Sequence, residues 1–156
     1  MIFPIYSING KLVGFGGRTL TNHGAKYVNS PQTSIFNKSK LLYDYHLAKE
    51  KIYKTKEIIV CEGYLDVIML HQAGFNNAVA TLGTALTKDH LPLLRRGEPR
   101  VILSYDGDKA GQNAAFKASV MLSQNGFDGG VVIFENGADP ADMVKDRKIK
   151  ELEDLF

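Results

Sequence analysis

Three stretches of this chain set acidic side chains beside glycine in a way that could do chemistry. Glu62 and Gly63 follow the apolar run EIIVC at 57–61, and Asp66 comes one helical turn after Glu62. Asp106-Gly107-Asp108 follows RVILSY at 100–105, and GADPAD at 137–142 supplies Asp139 and Asp142. If the apolar runs are strands of one parallel sheet, Glu62, Asp106 and Asp108 meet at its carboxyl edge, where ligands of such folds bind. Crowded carboxylates repel one another and push at least one pKa up unless a cation joins them. Hard oxygen donors suit Mg²⁺ or Mn²⁺, which take a few carboxylates and accept phosphate oxygens as further ligands. Residue type alone leaves alternatives open. Asp-Gly-Asp also suits a turn or a helix cap, and Asp139 before Pro140 suits an N-cap as well as a metal or outer-shell role. Asp66 could orient Glu62 through a water or face solvent, and Asp142 is a candidate for an outer role beside Asp139.

The elements that would position these acids are legible from periodicity. Glu57–Cys61, 77–81, 100–105 and 130–134 are short apolar runs, and helical spacing or helix stop signals separate them. Strands apolar throughout, alternating with helices, predict an α/β fold with a sheet of about four mainly parallel strands, flanked by helices. The helix at 64–73 carries Leu65, Ile68, Met69 and Gln72 on one stripe, and that at 109–125 carries Ala114, Ala118, Met121 and Leu122. A helix over 88–96 and two short ones, from Pro140 and from about Lys148, complete this part. The first 55 residues read differently. A β-hairpin around Asn9-Gly10, expected as a type I′ turn, leads through a polar coil with Pro31 to a helix over 40–54, whose inner side holds Leu41, Leu42, Tyr45 and Ala48.

Of the 156 residues, 44% are hydrophobic and 23% charged, which excludes disorder and collagen. The net charge of +2 conceals an asymmetry: residues 1–55 hold eight Lys or Arg against two acids, and residues 56–156 hold eleven against fifteen. A basic segment joined to an acidic domain suggests a nucleic-acid face, or else a solvated basic helix. One cysteine, Cys61, forms no internal disulfide, and with four scattered histidines builds no four-ligand zinc site, so a reducing cytoplasm is expected. Cys61 reads as a small core residue. His23, His46, His71 and His90 lack ligand spacing and read as surface or helix residues. No apolar run approaches the roughly 18 residues of a membrane span, and the N-terminus lacks signal-peptide character. Gly83 and Gly111 would let backbone approach a phosphate. Lys109 could neutralise the acids, touch phosphate or remain solvated.

With EGYLDV after one strand and YDGDKAGQNAA after a later one, the chain resembles a toprim domain, the module of one Glu and an Asp-x-Asp shared by bacterial primases, topoisomerases and some nucleases. MIFPIYSINGKLVGFGGRTL, AKYVNSPQTSIFNKSKLLYDYHLAK, VATLGTALTKDHLPLL and GADPADMV extend the resemblance, over essentially the whole length, to the RNA polymerase core of bacterial DNA primases. The resemblance implies a basic part of the polymerase core over 1–55 and a toprim domain over 56–156. It implies synthesis of short RNA primers on single-stranded DNA from nucleoside triphosphates, with divalent ions, Mg²⁺ or Mn²⁺, in a number left open at one or at two or more, and the replicative helicase as a partner. It makes Glu62, Asp106 and Asp108 the catalytic metal-binding acids, with Asp139 at a further metal position. Ala141 stands where the family pattern has a second Asp, and Asp142 comes one place later. Arg18, Lys26, Asn29 and Lys38 match a basic segment facing template, primer or nucleotide.

A full primase of this kind would also carry an N-terminal zinc-binding domain, more of the polymerase core and a C-terminal helicase-binding domain. The chain is therefore expected to be part of a longer protein, without zinc in this part, crippled in initiation and in helicase recruitment, and of little activity alone. A toprim nuclease using the same acids, or a non-catalytic single-stranded DNA-binding module, is the alternative. A phosphatase with Asp106 as nucleophile leaves Glu62 unused.

Overall fold

The computed structural model describes residues 1–20 and 26–156. His23 lies outside the described residues. The chain opens with an antiparallel sheet of β1 (Ile2–Tyr6), β2 (Leu12–Arg18) and β3 (Tyr27–Asn29), in that order. The hairpin is not type I′: only Gly10 takes positive φ (75°), with its N–H donating to the Ser7 carbonyl. This is the three-residue loop, an ordinary turn closed by a left-handed glycine, and it accompanies a register shift at Ile5/Tyr6. β3 was not anticipated from the sequence; three residues with mostly exposed side chains carry little periodic signal.

After a 3₁₀ turn at Lys38–Lys40, the helix expected from residue 40 begins only at α1 (Tyr45–Thr55). Residues 41–43 are spent otherwise. Tyr43 donates its N–H to the Ala80 carbonyl at 2.7 Å and covers the edge of a strand there, and Asp44 then turns the chain at φ 58°. An uncovered strand edge leaves backbone groups unpaired, and that need overrides local helical preference.

The second sheet contains β4 (Glu57–Cys61), β5 (Ala78–Ala80), β6 (Arg100–Ser104) and β7 (Gly129–Val132) in the order β5-β4-β6-β7, all parallel. Between them run α2 (Tyr64–Gln72), α3 (Leu91–Leu94, after a 3₁₀ turn at Lys88–His90) and α4 (Lys109–Gln124); α5 (Pro140–Lys145) and α6 (Ile149–Leu155) follow β7. Two apolar layers cover the sheet. On one side Ile59, Cys61 and Ile102 pack with Val67 and Leu70 of α2, Leu152 of α6, and Phe3, Ile5 and Phe36 of the N-terminal segment. On the other, Ile58, Val60 and Leu103 pack with Ala48 and Ile52 of α1, Leu94 of α3, and Ala115, Ala118 and Leu122 of α4.

The inner stripe of α2 is Tyr64, Val67 and Leu70, whereas Gln72 is exposed. The segment is apolar nearly all round, so periodicity alone does not select its buried face. His90 is fully buried rather than superficial. Its Nδ1 accepts from the Thr87 N–H at 3.1 Å, which leaves the proton on Nε2 to reach the Lys38 carbonyl at 3.1 Å. Burial holds this imidazole below its ordinary pKa, as a neutral strut between the two 3₁₀ turns. Cys61 is fully buried, and burial, followed by the Asp66 charge, pushes its thiol well up, which suits a core residue and not a nucleophile.

Candidate metal centre and nucleic-acid face

The sheet register brings the acids together. Val60 pairs with Leu103 and Ser104 with Val132, so β4, β6 and β7 end side by side, delivering Glu62, Asp106 and the loop to Asp139 at one rim. Two glycines keep that rim tight. The Gly107 N–H donates to the Ala138 carbonyl at 2.8 Å, which draws the Ala138 and Asp139 link before α5 back toward the end of β6. A Cβ at Gly107 would stand 3.1 Å from that carbonyl and closer still to the Phe134 carbonyl, so the approach needs glycine. Gly111, in the first turn of α4, rests on the Asp106 carbonyl, and a Cβ there would also stand 3.0 Å from Glu62 Oε1.

Three carboxylates, those of Asp66, Asp106 and Asp139, each offer an oxygen within 4.8 Å of the other two. That spread is close to the ~4.2 Å between opposite ligands of one octahedral Mg²⁺. Asp66 is 7% exposed and does not face solvent. Its Oδ2 accepts from the Gly63 N–H at 3.2 Å and its Oδ1 from the Ala141 N–H at 3.3 Å, so the carboxylate ties the start of α2 to the start of α5. Position 141 thus contributes its backbone to the acidic cluster. Asp139 caps α5 through Oδ1, which accepts from the Asp142 N–H at 2.7 Å, and it also belongs to the triad; capping and clustering are both met by one side chain. Asp108 caps α4, its Oδ1 accepting from Gly111 N–H at 2.7 Å, and it does not line the cleft described below.

The electrostatics record the crowding. Burial, then Asp139 and Asp106, push Asp66 up to about 7, against two opposing backbone hydrogen bonds. Burial, then Asp139 and Asp108, raise Asp106, while Lys26 pulls it down. Burial, then Asp106, raise Glu62, whose Oε1 is buried with no hydrogen-bond partner. Carboxylates held together against their own repulsion, with an orphaned oxygen beside them, fit a divalent cation with oxygen ligands.

The acids line a cleft of about 580 Å³. Arg18, Lys26, Tyr27 and Asn29, from β2, the segment before β3 and β3 itself, line the same cleft, as do Asp142 and Lys145. Arg18 and Lys26 lie over the Tyr27 ring at 5.7 and 5.8 Å. Asn29 is committed structurally: its Oδ1 accepts from the Tyr64 hydroxyl and its Nδ2 donates to the Leu82 carbonyl at 2.8 Å. Tyr64, buried over Gly16 and packed against Tyr43 and Phe3, thereby fastens the basic strands to the helix that follows Glu62. Asn29→Ala strips both partners at once and is expected to lower unfolding free energy by about 1–3 kcal/mol, as checked by chemical denaturation. Lys38 and Lys109 do not line the cleft. Tyr27, Tyr64 and Lys145 were not singled out from the sequence; the one available signal was Tyr64 directly after Glu62-Gly63.

A four-stranded parallel sheet whose carboxyl rim carries a Glu and a cluster of Asp defines a toprim-type domain, and the family profile described as "Toprim-like" matches residues 59–144. A second profile, "DNA primase catalytic core, N-terminal domain", matches residues 1–49. The chain belongs to the bacterial DNA primase family. It is 64% identical, over 97% of its length, to the DNA primase of Helicobacter pylori strain J99, and spans 27% of that protein. The Aquifex aeolicus primase crystal structure, of zinc-binding and RNA polymerase domains, superposes with a TM-score of 0.92 at 37% identity, covering 99% of this chain and 38% of that one. A DnaG primase catalytic domain bound to single-stranded DNA superposes with a TM-score of 0.88 at 39% identity, covering 99% of this chain and 50% of that one. The chain thus spans about a quarter of the length of the curated relatives it matches. Among the described residues, no helix is long and apolar enough to cross a membrane.

Proposed function

We propose that this chain is the cation-binding and template-facing part of a DNA primase, which joins ribonucleotides into short primers on single-stranded DNA. The observation that carries this reading is a single cleft lined both by an acidic triad and by Arg18 and Lys26. The relative solved with single-stranded DNA supports the assignment of the template.

In this reading Asp66, Asp106 and Asp139, with Glu62 beside them, hold Mg²⁺ or Mn²⁺, and Asp108 caps α4. Bound there, such ions offset negative charge on phosphate oxygens as a 3′-hydroxyl displaces pyrophosphate from the α-phosphorus. The chain's own side chains do the positioning. Arg18 and Lys26 draw the template's phosphates over the acidic rim, and the Asn29–Tyr64 link fastens the basic strands to the helix that follows Glu62.

Asp106→Ala in the full-length protein is expected to abolish primer extension while template affinity, followed by fluorescence anisotropy, stays within about twofold. Equal loss of both would overturn this division of labour. Cleavage of DNA without nucleotides would instead support the nuclease alternative. Arg18→Ala and Lys26→Ala are each expected to weaken template binding for all sequences alike and to reduce the slope of log affinity against log salt by about 1.

A further inference from the structure

Two buried oxygens on the face of the sheet covered by α4 have no hydrogen-bond partner: Oε1 of Glu62 and the hydroxyl of Tyr105. Leaving a buried oxygen unpaired is costly to a fold, so two of them at adjacent strand ends call for a joint explanation. Glu62 stands directly after β4 and Tyr105 directly after β6. Since Val60 pairs with Leu103, the register carried two residues on sets Glu62 next to Tyr105. The two-residue repeat of a strand turns both toward the layer that holds Val60 and Leu103. Tyr105 is 4% exposed and packs in that layer with Ala115 of α4. One turn earlier on the same helix, Gly111 backs Glu62 Oε1. Burial, and next the Glu62 carboxylate, hold the Tyr105 phenol well above its ordinary pKa, which places the two groups within electrostatic reach.

The geometry points to Tyr105 as a positioning residue for Glu62: its hydroxyl holds Oε1 through one buried water, so that the other carboxylate oxygen is presented to the cleft. A bridging water needs two to four polar partners. Oε1 and the phenol supply two, and the Asp106 carbonyl, which lies against the same surface of Gly111, supplies a third. The phenol ring is fixed by packing, so it is a donor that does not move when Glu62 is drawn toward the cleft. Outer partners of this kind fix the orientation of a ligand carboxylate and with it the affinity of the site.

This inference rests on the reading that Glu62 faces a bound cation, and the test separates the two. Mn²⁺ binding to the 156-residue chain is measured by calorimetry for the wild type, Tyr105→Phe, Glu62→Gln and the double variant. Tyr105→Phe keeps the ring and is expected to melt at an unchanged or higher temperature while binding Mn²⁺ roughly tenfold more weakly, the low end for loss of an outer partner. In the Glu62→Gln background the same change is expected to have no further effect. If Glu62→Gln weakens Mn²⁺ binding but Tyr105→Phe does nothing, or acts equally in both backgrounds, the proposal is overturned. If Glu62→Gln leaves Mn²⁺ binding intact, the cation reading of Glu62 fails, and the Tyr105 hydroxyl proton decides the remaining question. In the cation-free protein its NMR resonance is expected to be protected from exchange and to move in Glu62→Gln; an unmoved resonance overturns the link.

Discussion

Gly111→Ala is expected to lose Mn²⁺ binding and to lower unfolding free energy by about 2–4 kcal/mol, the sum of an overpacked contact and a lost helix cap. The sign is not the one helix propensity predicts. Gly111 lies in the first turn of α4, where alanine would ordinarily stabilise by up to about 1 kcal/mol. A Cβ at this position, however, overlaps the Asp106 carbonyl and presses on Glu62 Oε1, and a backbone carbonyl at a strand end has nowhere to go. Relief requires α4 to move away from β6. That movement takes the Gly111 N–H from Asp108 and spreads Asp106 from Asp139, so stability and cation binding fall together. Gly130→Ala is the control, because a Cβ there meets nothing within 4 Å and its φ is unexceptional. Thermal melts and Mn²⁺ titration of both variants check the expectation. A Gly111→Ala protein that binds Mn²⁺ as the wild type does would show that the start of α4 does not set the acidic rim.

What the sequence made legible follows the range of the interactions involved. Glu62 and Asp106 each follow an apolar run, and a parallel sheet converts that local pattern into a shared edge without further information. The caps were legible too, because Asp139 before Pro140 and Asp108 before a long helix are local signals. Asp66 is the instructive case. Spacing from Glu62 put it one turn along the helix, where it had two open readings, and nothing in residues 62–72 says that α5 will lie across that turn. Its place in the triad depends on the Gly107–Ala138 hydrogen bond and on the Ala141 N–H, contacts that span tens of residues. Tyr64 was illegible for a different reason, since α2 is apolar on nearly every side and only tertiary packing selects the face that meets Gly16 and Asn29. Charge asymmetry placed Arg18 and Lys26 in a basic segment, but it carried no direction. The fold sends these two to the acidic cleft and leaves Lys38 against His90.

In the absence of divalent cations the protein is expected to lose stability as pH rises from about 4 to about 7, and added Mn²⁺ is expected to restore it at pH 8 but not at pH 5. Asp66 dictates the sign. Its carboxyl is held at about 7 in the fold against 3.8 for the free group, so the folded state binds the proton more tightly than the unfolded chain. Below pH 4 both states are protonated and the difference vanishes. As pH climbs through the interval, the unfolded chain ionises freely while the folded one must charge a buried carboxyl beside Asp139 and Asp106. A gap of this size corresponds to at most about 4 kcal/mol, reached once pH passes 7. Asp106 and Glu62, both raised by burial and acidic neighbours, act in the same direction. Asp66→Asn removes this contribution, so wild type and variant are compared by chemical denaturation at pH 5 and pH 8 in the presence of a chelator. The wild type is expected to weaken relative to Asp66→Asn as pH rises, and Mn²⁺ at pH 8 to reverse the difference, because a cation stabilises the ionised Asp66 carboxylate, which is protonated in the fold at pH 5. A stability difference between the two proteins that is flat from pH 5 to pH 8 would mean that Asp66 ionises in the fold as easily as in water, and the triad would then need no cation to balance it.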